Sequence, residues 1–236
     1  KFIGPRPEVI DLLGNKSNSK ELMKKEGIPV IPGSHGKLTN EKEALKIAEK
    51  IGFPVMLKAA SGGGGKGMRE VFSKEELKKA FQAAQKEAKA AFLDDSLYLE
   101  KIIFPAKHIE VQIFGDGKGK VLHFGERDCS LQRRHQKLLE EAPASSLSES
   151  IREKIWELGL KAASGVNYRS CGTIEFLVDE KENIYFMEMN TRIQVEHPIT
   201  EMITQVDLVK LQLQLARGEE ITLTQDDIHF SGVAIE

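Results

Sequence analysis

Cysteine is scarce in this sequence, since Cys129 and Cys171 are the only two among 236 residues. Two cysteines in a chain of this length make neither a disulfide framework nor a zinc site. We therefore expect two reduced thiols. Reduced thiols favour a reducing compartment, so the cytoplasm is the predicted location, with the mitochondrial matrix as the alternative.

Long hydrophobic runs and an excess of one charge are also missing. No apolar stretch approaches the roughly 18 residues of a transmembrane helix, which argues against a membrane-embedded protein. The net charge is only −2, so no broad electrostatic field favours nucleic acid or an anionic membrane as a partner. Any anion bound by the scattered basic residues should be small and locally held.

The composition that remains is ordinary for a globular enzyme, with 40% of residues hydrophobic and 30% charged. The length allows one large domain or two small ones. The chain begins at Lys1 without an initiator methionine, so we expect it to be an excised piece of a longer protein.

Local patterns predict helices and strands in an order typical of an α+β protein with mainly antiparallel sheets. Two short helical stretches precede Pro29, and Asn40 and Ser73 each stand three residues before a glutamate, which predicts capped helices after them. Later segments predict a hairpin of residues 108–114 and 121–124, a helix over 148–165, strands over 172–178 and 184–189, and a last helix over 199–216.

The glycine-rich segment 61–67 follows a predicted strand. Three of its glycines match the spacing of a dinucleotide-binding loop, but that loop must open onto a helix, and residues 68–72 favour a strand. A Walker A loop is excluded because Met68 follows the last glycine. Two interpretations remain, a flap whose backbone N–H groups close over phosphates and a flexible surface turn. Lys58 would neutralise phosphate in the first case and lie on the surface in the second.

Two carboxylates and an amide are predicted to converge. Glu188 and Asn190 are two residues apart on an extended run, so their side chains share a face. Glu175 lies between apolar neighbours on the preceding strand, where an unpaired charge is costly. Such an oxygen-only group suits Mg²⁺ or Mn²⁺ together with substrate phosphates. The alternative is a solvated strand face with glutamates paired to lysines.

Arg192, Gln194 and Glu196 continue at alternate positions after this group. A guanidinium group fits an oxyanion such as bicarbonate, and Glu196 would serve as a general base within hydrogen-bond reach. Spacing alone indicates an exposed strand face instead. The basic stretch 126–137 suits anion contact or forms a solvated loop. The His-Arg-Asp, Asp-Phe-Gly and Ala-Pro-Glu motifs of protein kinases are absent.

Five segments together resemble the biotin carboxylase branch of the ATP-grasp superfamily. They are residues 2–5, 14–16, 61–69, 126–143 and 188–201. The last two are long and specific to this branch, because carbamoyl phosphate synthetase diverges after the shared Glu-x-Asn. The resemblance covers essentially the whole chain. It implies an α+β ATP-grasp fold, in which antiparallel sheets are flanked by helices and a glycine loop belongs to a lid.

The resemblance also implies the site residues. ATP and two Mg²⁺ or Mn²⁺ ions would be the cofactors, and the backbone of residues 100–103 would form a strand that holds adenine. The metal ligands would be Glu175, Glu188 and Asn190. Bicarbonate would bind Lys137, Arg192, Gln194, Val195 and Glu196, of which Arg192 and Glu196 would be catalytic. The ATP contacts would be Lys16, Lys58, Gly64, Gly65, Glu100, Lys101, Ile103, His108, Gln132, His135, Glu175 and Glu188.

The implied division of the chain has three parts. Residues 1–29 would be the exit segment of an N-terminal nucleotide-fold domain with hinge helices, 30–102 the lid, and 103–236 part of the C-terminal subdomain. We expect the N-terminal domain and the C-terminal end, with an arginine that steadies the biotin enolate, to be missing from this piece.

The reaction implied by the resemblance is ATP-dependent carboxylation of carrier-bound biotin by bicarbonate through carboxyphosphate. The alternative, for the isolated piece, is a module that binds ATP and Mg²⁺ without turnover. The expected partners are a biotin carboxyl carrier domain, a carboxyltransferase subunit or domain, and a second copy in a homodimer. Neither nucleic acid nor a membrane is expected.

Overall fold

Two antiparallel sheets flanked by helices form the fold, which is described by a computed structural model covering residues 1–34, 36–60, 67–134 and 136–236. The helices are α1 (Pro7–Gly14), α2 (Lys16–Lys25), α3 (Glu41–Ile51), α4 (Lys74–Phe92), α5 (Glu149–Gly165), α6 (His197–Thr204) and α7 (Leu208–Arg217). The strands are β1 (Val55–Ala59), β2 (Met68–Val71), β3 (Leu97–Lys101), β4 (Ala106–Asp116), β5 (Val121–Arg133), β6 (Gln136–Ala142), β7 (Arg169–Asp179), β8 (Ile184–Asn190) and β9 (Ala234–Ile235).

The small sheet has the strand order β2-β1-β3 and packs against α3 and α4. Val55 and Leu57 of β1 lie in this core, because alternate residues of a strand point to the same side. The apolar face predicted for α4 is buried there, with Leu77, Phe81, Ala84 and Ala88. The strand after the glycine segment is confirmed, so the dinucleotide-loop interpretation stays excluded.

The predicted helix caps are only partly correct. The Asn40 side chain accepts two backbone hydrogen bonds from the first turn of α3, as predicted. Ser73 makes no side-chain capping bond at α4, where Glu76 instead accepts from the backbone N–H of Phe72 at 3.0 Å. Ser148 precedes α5 without a side-chain cap as well.

A short segment, residues 29–34, connects the two sheets, and we call it the strap. The carbonyl of Pro29 accepts from the N–H of Phe186 in β8 at 2.7 Å. Further along, Gly33 approaches β3 so closely that a Cβ atom would lie 2.3 Å from the carbonyl oxygen of Leu99. Only glycine allows this approach of two backbones. The strap therefore holds the edge of the small sheet near β8.

The large sheet has the strand order β8-β7-β4-β5-β6-β9. One face packs against α1, α2 and α5, and its core includes Ile109, Val111, Ile174 and Phe176. The residues between these point to the opposite face, which carries polar side chains. The predicted hairpin of β4 and β5 is confirmed. The two cysteines are buried free thiols, and no helix in the described ranges is long and apolar enough to cross a bilayer.

Two predictions about elements are wrong. The basic stretch 126–137 is not a solvated loop, because β5 continues through Arg133 and β6 begins at Gln136. The last helix is divided into α6 and α7. Gln205 adopts a left-handed conformation, with φ 57°, and the Asp207 side chain caps α7. The apolar spacing continues across this break, which is why a single helix was predicted.

Candidate active site

Four charged side chains lie in a row across the polar face of the large sheet. Glu188 of β8 lies opposite Glu175 of β7. Glu175 also lies opposite Glu110 of β4, on its other side, and Glu110 in turn lies opposite Arg127 of β5. Directly opposed residues on neighbouring antiparallel strands point to the same face. Glu110, Glu175 and Arg127 are buried, so these charges must be paired with one another.

Lys137 of β6 reaches over this row and joins three carboxylates. Its ammonium group donates to Glu110, to Glu196 at 2.7 Å and to Glu175 at 3.3 Å. Burial acts to lower the pKa of Lys137, but Glu110 and Glu175 outweigh it and hold the pKa well above its ordinary value. Lys137 is therefore a permanent cation at the centre of the cluster.

The Glu175 carboxylate lies among four donors from different parts of the fold. Asn190 donates at 2.6 Å, Gln194 at 3.0 Å and Lys137 at 3.3 Å to one oxygen, while His108 lies 2.9 Å from the other. Burial acts to raise the pKa of Glu175, but His108 and Lys137 lower it to about 2. This carboxylate is therefore anionic at neutral pH.

Residues 191–196 form a loop between β8 and α6, so the prediction of an exposed strand face is wrong. Gln194 and Glu196 are buried in it, whereas Val195 is 80% exposed. Arg192 is exposed, and its guanidinium group donates to the side-chain oxygen of Asn190 at 3.3 Å. The loop thus turns two polar groups inward beside Lys137 and leaves the Arg192 guanidinium group at the surface.

His108 and Gln132 are also in direct contact. The amide nitrogen of Gln132 lies 2.7 Å from Nδ1 of His108 and donates to the carbonyl of Cys129 at 2.8 Å. The other ring nitrogen of His108 faces Glu175. The two predicted nucleotide contacts from β4 and β5 therefore join the polar row at Glu175.

Lysines of α2 and β1 lie where the two sheets approach each other. Lys16 pairs with Glu188 at 3.1 Å, which joins α2 to the large sheet. Lys58 pairs with Glu100 of β3 at 2.5 Å, and Lys20 pairs with the same carboxylate. Lys58 is thus a half-buried ion-pair partner in this structure and not an isolated surface residue.

Some predicted site residues lie apart from this cluster. The Lys101 ammonium group donates to the carbonyls of Gly52 and Phe53, at 3.0 and 2.8 Å, and so supports the small sheet. The adenine-binding strand predicted over residues 100–103 is only partly formed, because β3 ends at Lys101 and Ile103 follows it. Gly64, Gly65 and His135 lie outside the described residues.

Sequence reasoning did not identify Glu110 or Arg127 as part of this cluster. A signal for Glu110 was present, since His108, Glu110 and Gln112 alternate with apolar residues on β4. That pattern also fits a solvated strand face. The partners that bury the face come from β5, β6 and the loop before α6, which local sequence does not reveal.

The cluster combines a candidate base with sites for ions of both signs. Burial acts to raise the pKa of Glu196, but the hydrogen bond from Lys137 holds the pKa below its ordinary value. This carboxylate is therefore deprotonated at neutral pH, which is the form that a general base needs. Glu175 and Glu188 offer anionic oxygens to a cation. Lys16 and Lys58 bring positive charge close to Glu188, where a polyanion would be neutralised.

A family model, the carbamoyl-phosphate synthase L chain, ATP binding domain, matches residues 15–224. The chain belongs to this family. Within the family, the resemblance to biotin carboxylases is confirmed. A biotin carboxylase of a Nostoc species is 56% identical over 235 residues, and the match covers 100% of this chain and 53% of that protein.

Solved structures confirm the predicted ATP-grasp α+β fold. A Campylobacter jejuni biotin carboxylase in a β,γ-ATP complex has a TM-score of 0.96 and 48% identity, covering 100% of this chain and 52% of that one. A second structure is the biotin carboxylase domain dimer of Hydrogenobacter thermophilus 2-oxoglutarate carboxylase, in complex with MgADP, ADP and bicarbonate. It has a TM-score of 0.95 and 53% identity, and the match covers 99% of this chain and 52% of that one. The chain spans about half the length of these relatives.

Proposed function

We propose that the protein containing this chain carboxylates biotin with bicarbonate at the expense of ATP. The observation that carries the proposal is the contact of Lys137 with Glu196 at 2.7 Å, beside the carboxylate row of Glu110, Glu175 and Glu188. It brings together a base, a fixed cation and anionic oxygens, which phosphoryl transfer to a small oxyanion requires. The relatives named biotin carboxylase support the same reaction.

In the proposed nucleotide site, basic side chains neutralise the phosphates. Lys16 lies on α2 and pairs with Glu188, Lys58 lies on the small sheet, and His108 and Gln132 lie on the large sheet. Lys101 would contribute through its backbone, because its ammonium group is engaged elsewhere. The proposed set also includes Gly64, Gly65, Glu100, Ile103, His135, Glu175 and Glu188.

The proposed metal ligands fit Mg²⁺ or Mn²⁺. Glu175 and Glu188 face each other across β7 and β8, Glu175 is anionic, and Asn190 contacts Glu175 at 2.6 Å. Such oxygen donors are preferred by these hard cations, which usually bind carboxylates and phosphates together. Two ions bound there would offset the negative charge of the transferring phosphoryl group.

The proposed bicarbonate site consists of Lys137, Arg192, Gln194, Val195 and Glu196. Glu196 removes the proton of bicarbonate, and Lys137 offsets the charge of the resulting dianion. A carbonate oxygen then attacks the γ-phosphorus and ADP leaves, which yields carboxyphosphate. Carboxyphosphate breaks down to CO₂ and phosphate, the released phosphate takes the proton of the biotin nitrogen, and that nitrogen attacks the CO₂ near Arg192.

The proposed division of the chain assigns residues 1–29 to an exit segment with hinge helices, 30–102 to a lid and 103–236 to part of the C-terminal subdomain. The small sheet has its own core, which supports the lid assignment. Closure of a lid would exclude water from carboxyphosphate. The helices of residues 1–29, α1 and α2, would act as the hinge.

The proposed partners are a biotin carboxyl carrier domain, a carboxyltransferase subunit or domain, and a second copy in a homodimer, with no role for nucleic acid or a membrane. The Hydrogenobacter domain was solved as a dimer, which supports the last of these partners. The cytoplasm, with the mitochondrial matrix as the alternative, is the proposed location, supported by the two free thiols.

Bicarbonate-dependent ATP hydrolysis by the full-length protein, with and without free biotin, tests the proposal. We expect ADP release that requires bicarbonate and increases with biotin, with formation of carboxybiotin from labelled bicarbonate. Tight nucleotide binding without either activity would contradict it and favour the binding-module alternative. A full-length sequence without biotin-carrier and transferase domains would not, because these can reside on separate subunits.

A further inference from the structure

Arg127 is buried beneath the candidate active site, where its side chain has no exposed area. It lies on β5 directly opposite Glu110, and each guanidinium nitrogen has a partner. Nε donates to Glu110 at 2.6 Å. Nη1 donates to Gln112 at 2.8 Å and Thr200 at 2.9 Å, and Nη2 to Gln194 at 3.1 Å and Thr173 at 3.4 Å.

One consequence concerns the orientation of Gln194. Because the side-chain oxygen of Gln194 accepts from Arg127, its NH₂ group must point the other way, where it donates to Glu175 at 3.0 Å. A flip of this amide would place NH₂ against the guanidinium group, which has no acceptor. Arg127 therefore fixes an N–H donor against Glu175, the carboxylate that Lys137 joins to Glu196.

A second consequence concerns Lys137. The two oxygens of Glu110 are shared, one with Arg127 and the other with Lys137. Without the guanidinium group, the buried Glu110 charge would depend on Lys137 alone, which would draw the ammonium group away from Glu196. Arg127 thus sets the position of a cation that it does not touch.

A third contact reaches the helix that follows Glu196. Thr200 is in the first turns of α6, and its hydroxyl accepts from Arg127. The loop 191–196 is therefore fixed to β5 through Gln194, and the helix that follows it is fixed through Thr200. A side chain that only fills the core would not need five polar partners from β4, β7, α6 and the loop 191–196.

From these contacts we infer that Arg127 is the positioning residue of the bicarbonate site, acting through Gln194, Lys137 and Thr200. The inference rests on the proposed function. Loss of Arg127 should affect bicarbonate more than ATP. The reason is that Arg127 contacts neither Lys16 nor Lys58, the lysines of the proposed nucleotide site.

Steady-state kinetics of Arg127→Lys in the full-length protein test the inference. Lysine keeps a positive charge opposite Glu110 but has no planar fork to hold Gln194 and Thr200 together. We expect the KM for bicarbonate to rise about tenfold or more, since small misplacements in a site are costly. The KM for ATP should stay within about twofold.

Arg152→Lys is the matched control. Arg152 forms a partly buried ion pair with Glu126 at 2.9 Å and donates to the carbonyl of Ala144 at 2.9 Å, but it touches no residue of the proposed bicarbonate site. It should lower thermal stability without separating the two KM values. Equal changes in both KM values for Arg127→Lys, or no change in either, would overturn the inference.

Two further variants separate a failure of the inference from a failure of Arg127→Lys to fold. In a Gln194→Ala background, Arg127→Lys should add less to the bicarbonate KM than it does alone. If Arg127→Lys does not fold, Thr200→Val removes one contact and keeps the ion pair, and an unchanged bicarbonate KM would overturn the inference. A wild-type protein without bicarbonate-dependent hydrolysis would refute the proposed function itself.

Discussion

At the scale of single residues, the carboxylates of the site differ in how their oxygens are used. Glu175 accepts from three side chains at one oxygen and faces His108 at the other, and Glu110 is shared by Arg127 and Lys137. Glu196 has one side-chain donor, Lys137, and is more exposed than either. A carboxylate that keeps acceptor capacity is suited to take up a proton, whereas the other two are suited to hold charge in place.

Glu196→Gln should therefore separate chemistry from binding. Removal of the base should lower turnover by a factor of about 10²–10⁴ and leave ATP affinity nearly unchanged. Bicarbonate-dependent ATP hydrolysis and calorimetric nucleotide binding measure the two quantities. Loss of nucleotide binding would instead assign Glu196 to the metal site.

Lys137→Met should change the pH dependence of the reaction. Lys137 lowers the pKa of Glu196, and the base acts in its deprotonated form, so loss of the ammonium group raises that pKa. The acid limb of kcat/KM for bicarbonate should then move to higher pH, in addition to a fall in its plateau. Lys107→Met is the control, because the Lys107 ammonium group bonds the carbonyl of Ser146 outside the site. An unmoved acid limb would contradict the role of Lys137.

At the scale of elements, β5 and α5 are joined by a stack of rings. Trp156 lies between His123, with ring centroids 4.5 Å apart, and Phe230, at 5.4 Å. Nδ1 of His123 accepts from the N–H of Gly125 at 3.3 Å, which requires the neutral ring. Burial lowers its pKa from 6.5 to about 4.

The free energy of unfolding should accordingly fall in mild acid. Above pH 6.5 His123 is neutral in both the folded and the unfolded chain, so its titration takes nothing from the free energy of unfolding. As the pH falls from 6.5 towards 4, only the unfolded chain takes up the proton, so about 2 kcal/mol should be lost between pH 7 and pH 5. Urea unfolding at both values measures this loss. His123→Phe should show a smaller difference, and an identical one would contradict the assignment.

Gly33→Ala should detach the strap from β3. The added Cβ atom would meet a backbone carbonyl, which cannot swing aside, so we expect a loss of about 1–3 kcal/mol. Gly14→Ala is the matched control, because nothing lies within 4 Å of its Cβ position. It should be neutral or slightly stabilising. Equal stabilities of the two variants in urea would refute this account of the strap.

Elements with local signals were predictable, whereas the buried polar network was not. The cap of α3 and the apolar face of α4 follow from residues within one or two turns of each other. Arg127 is 17 residues from Glu110 and 73 from Thr200. Contacts at such separations depend on strand register, so the basic stretch looked like a loop. The metal, nucleotide and bicarbonate residues came from resemblance and stay predictions.

At the scale of the whole molecule, two separate apolar cores lie in the small-sheet and large-sheet parts. We expect them to open independently. Leu57→Ala, which removes about 2–5 kcal/mol of packing, should increase amide hydrogen exchange in β1 and β3 and leave β4 and β7 protected. Ile174→Ala should do the reverse. Equal loss of protection in both sheets would contradict the proposed lid, residues 30–102.

The ion pairs of α2 have a thermodynamic consequence for ligand order. Lys16 occupies Glu188, so a cation that binds this carboxylate must displace the ammonium group. The displaced Lys16 can then pair with a phosphate. Conversely, a phosphate that pairs with Lys16 leaves Glu188 without its lysine partner, so that Glu188 can bind the cation. Under the proposed function, this exchange of counterions makes metal and nucleotide binding mutually reinforcing, and each ligand alone should bind more weakly than both together.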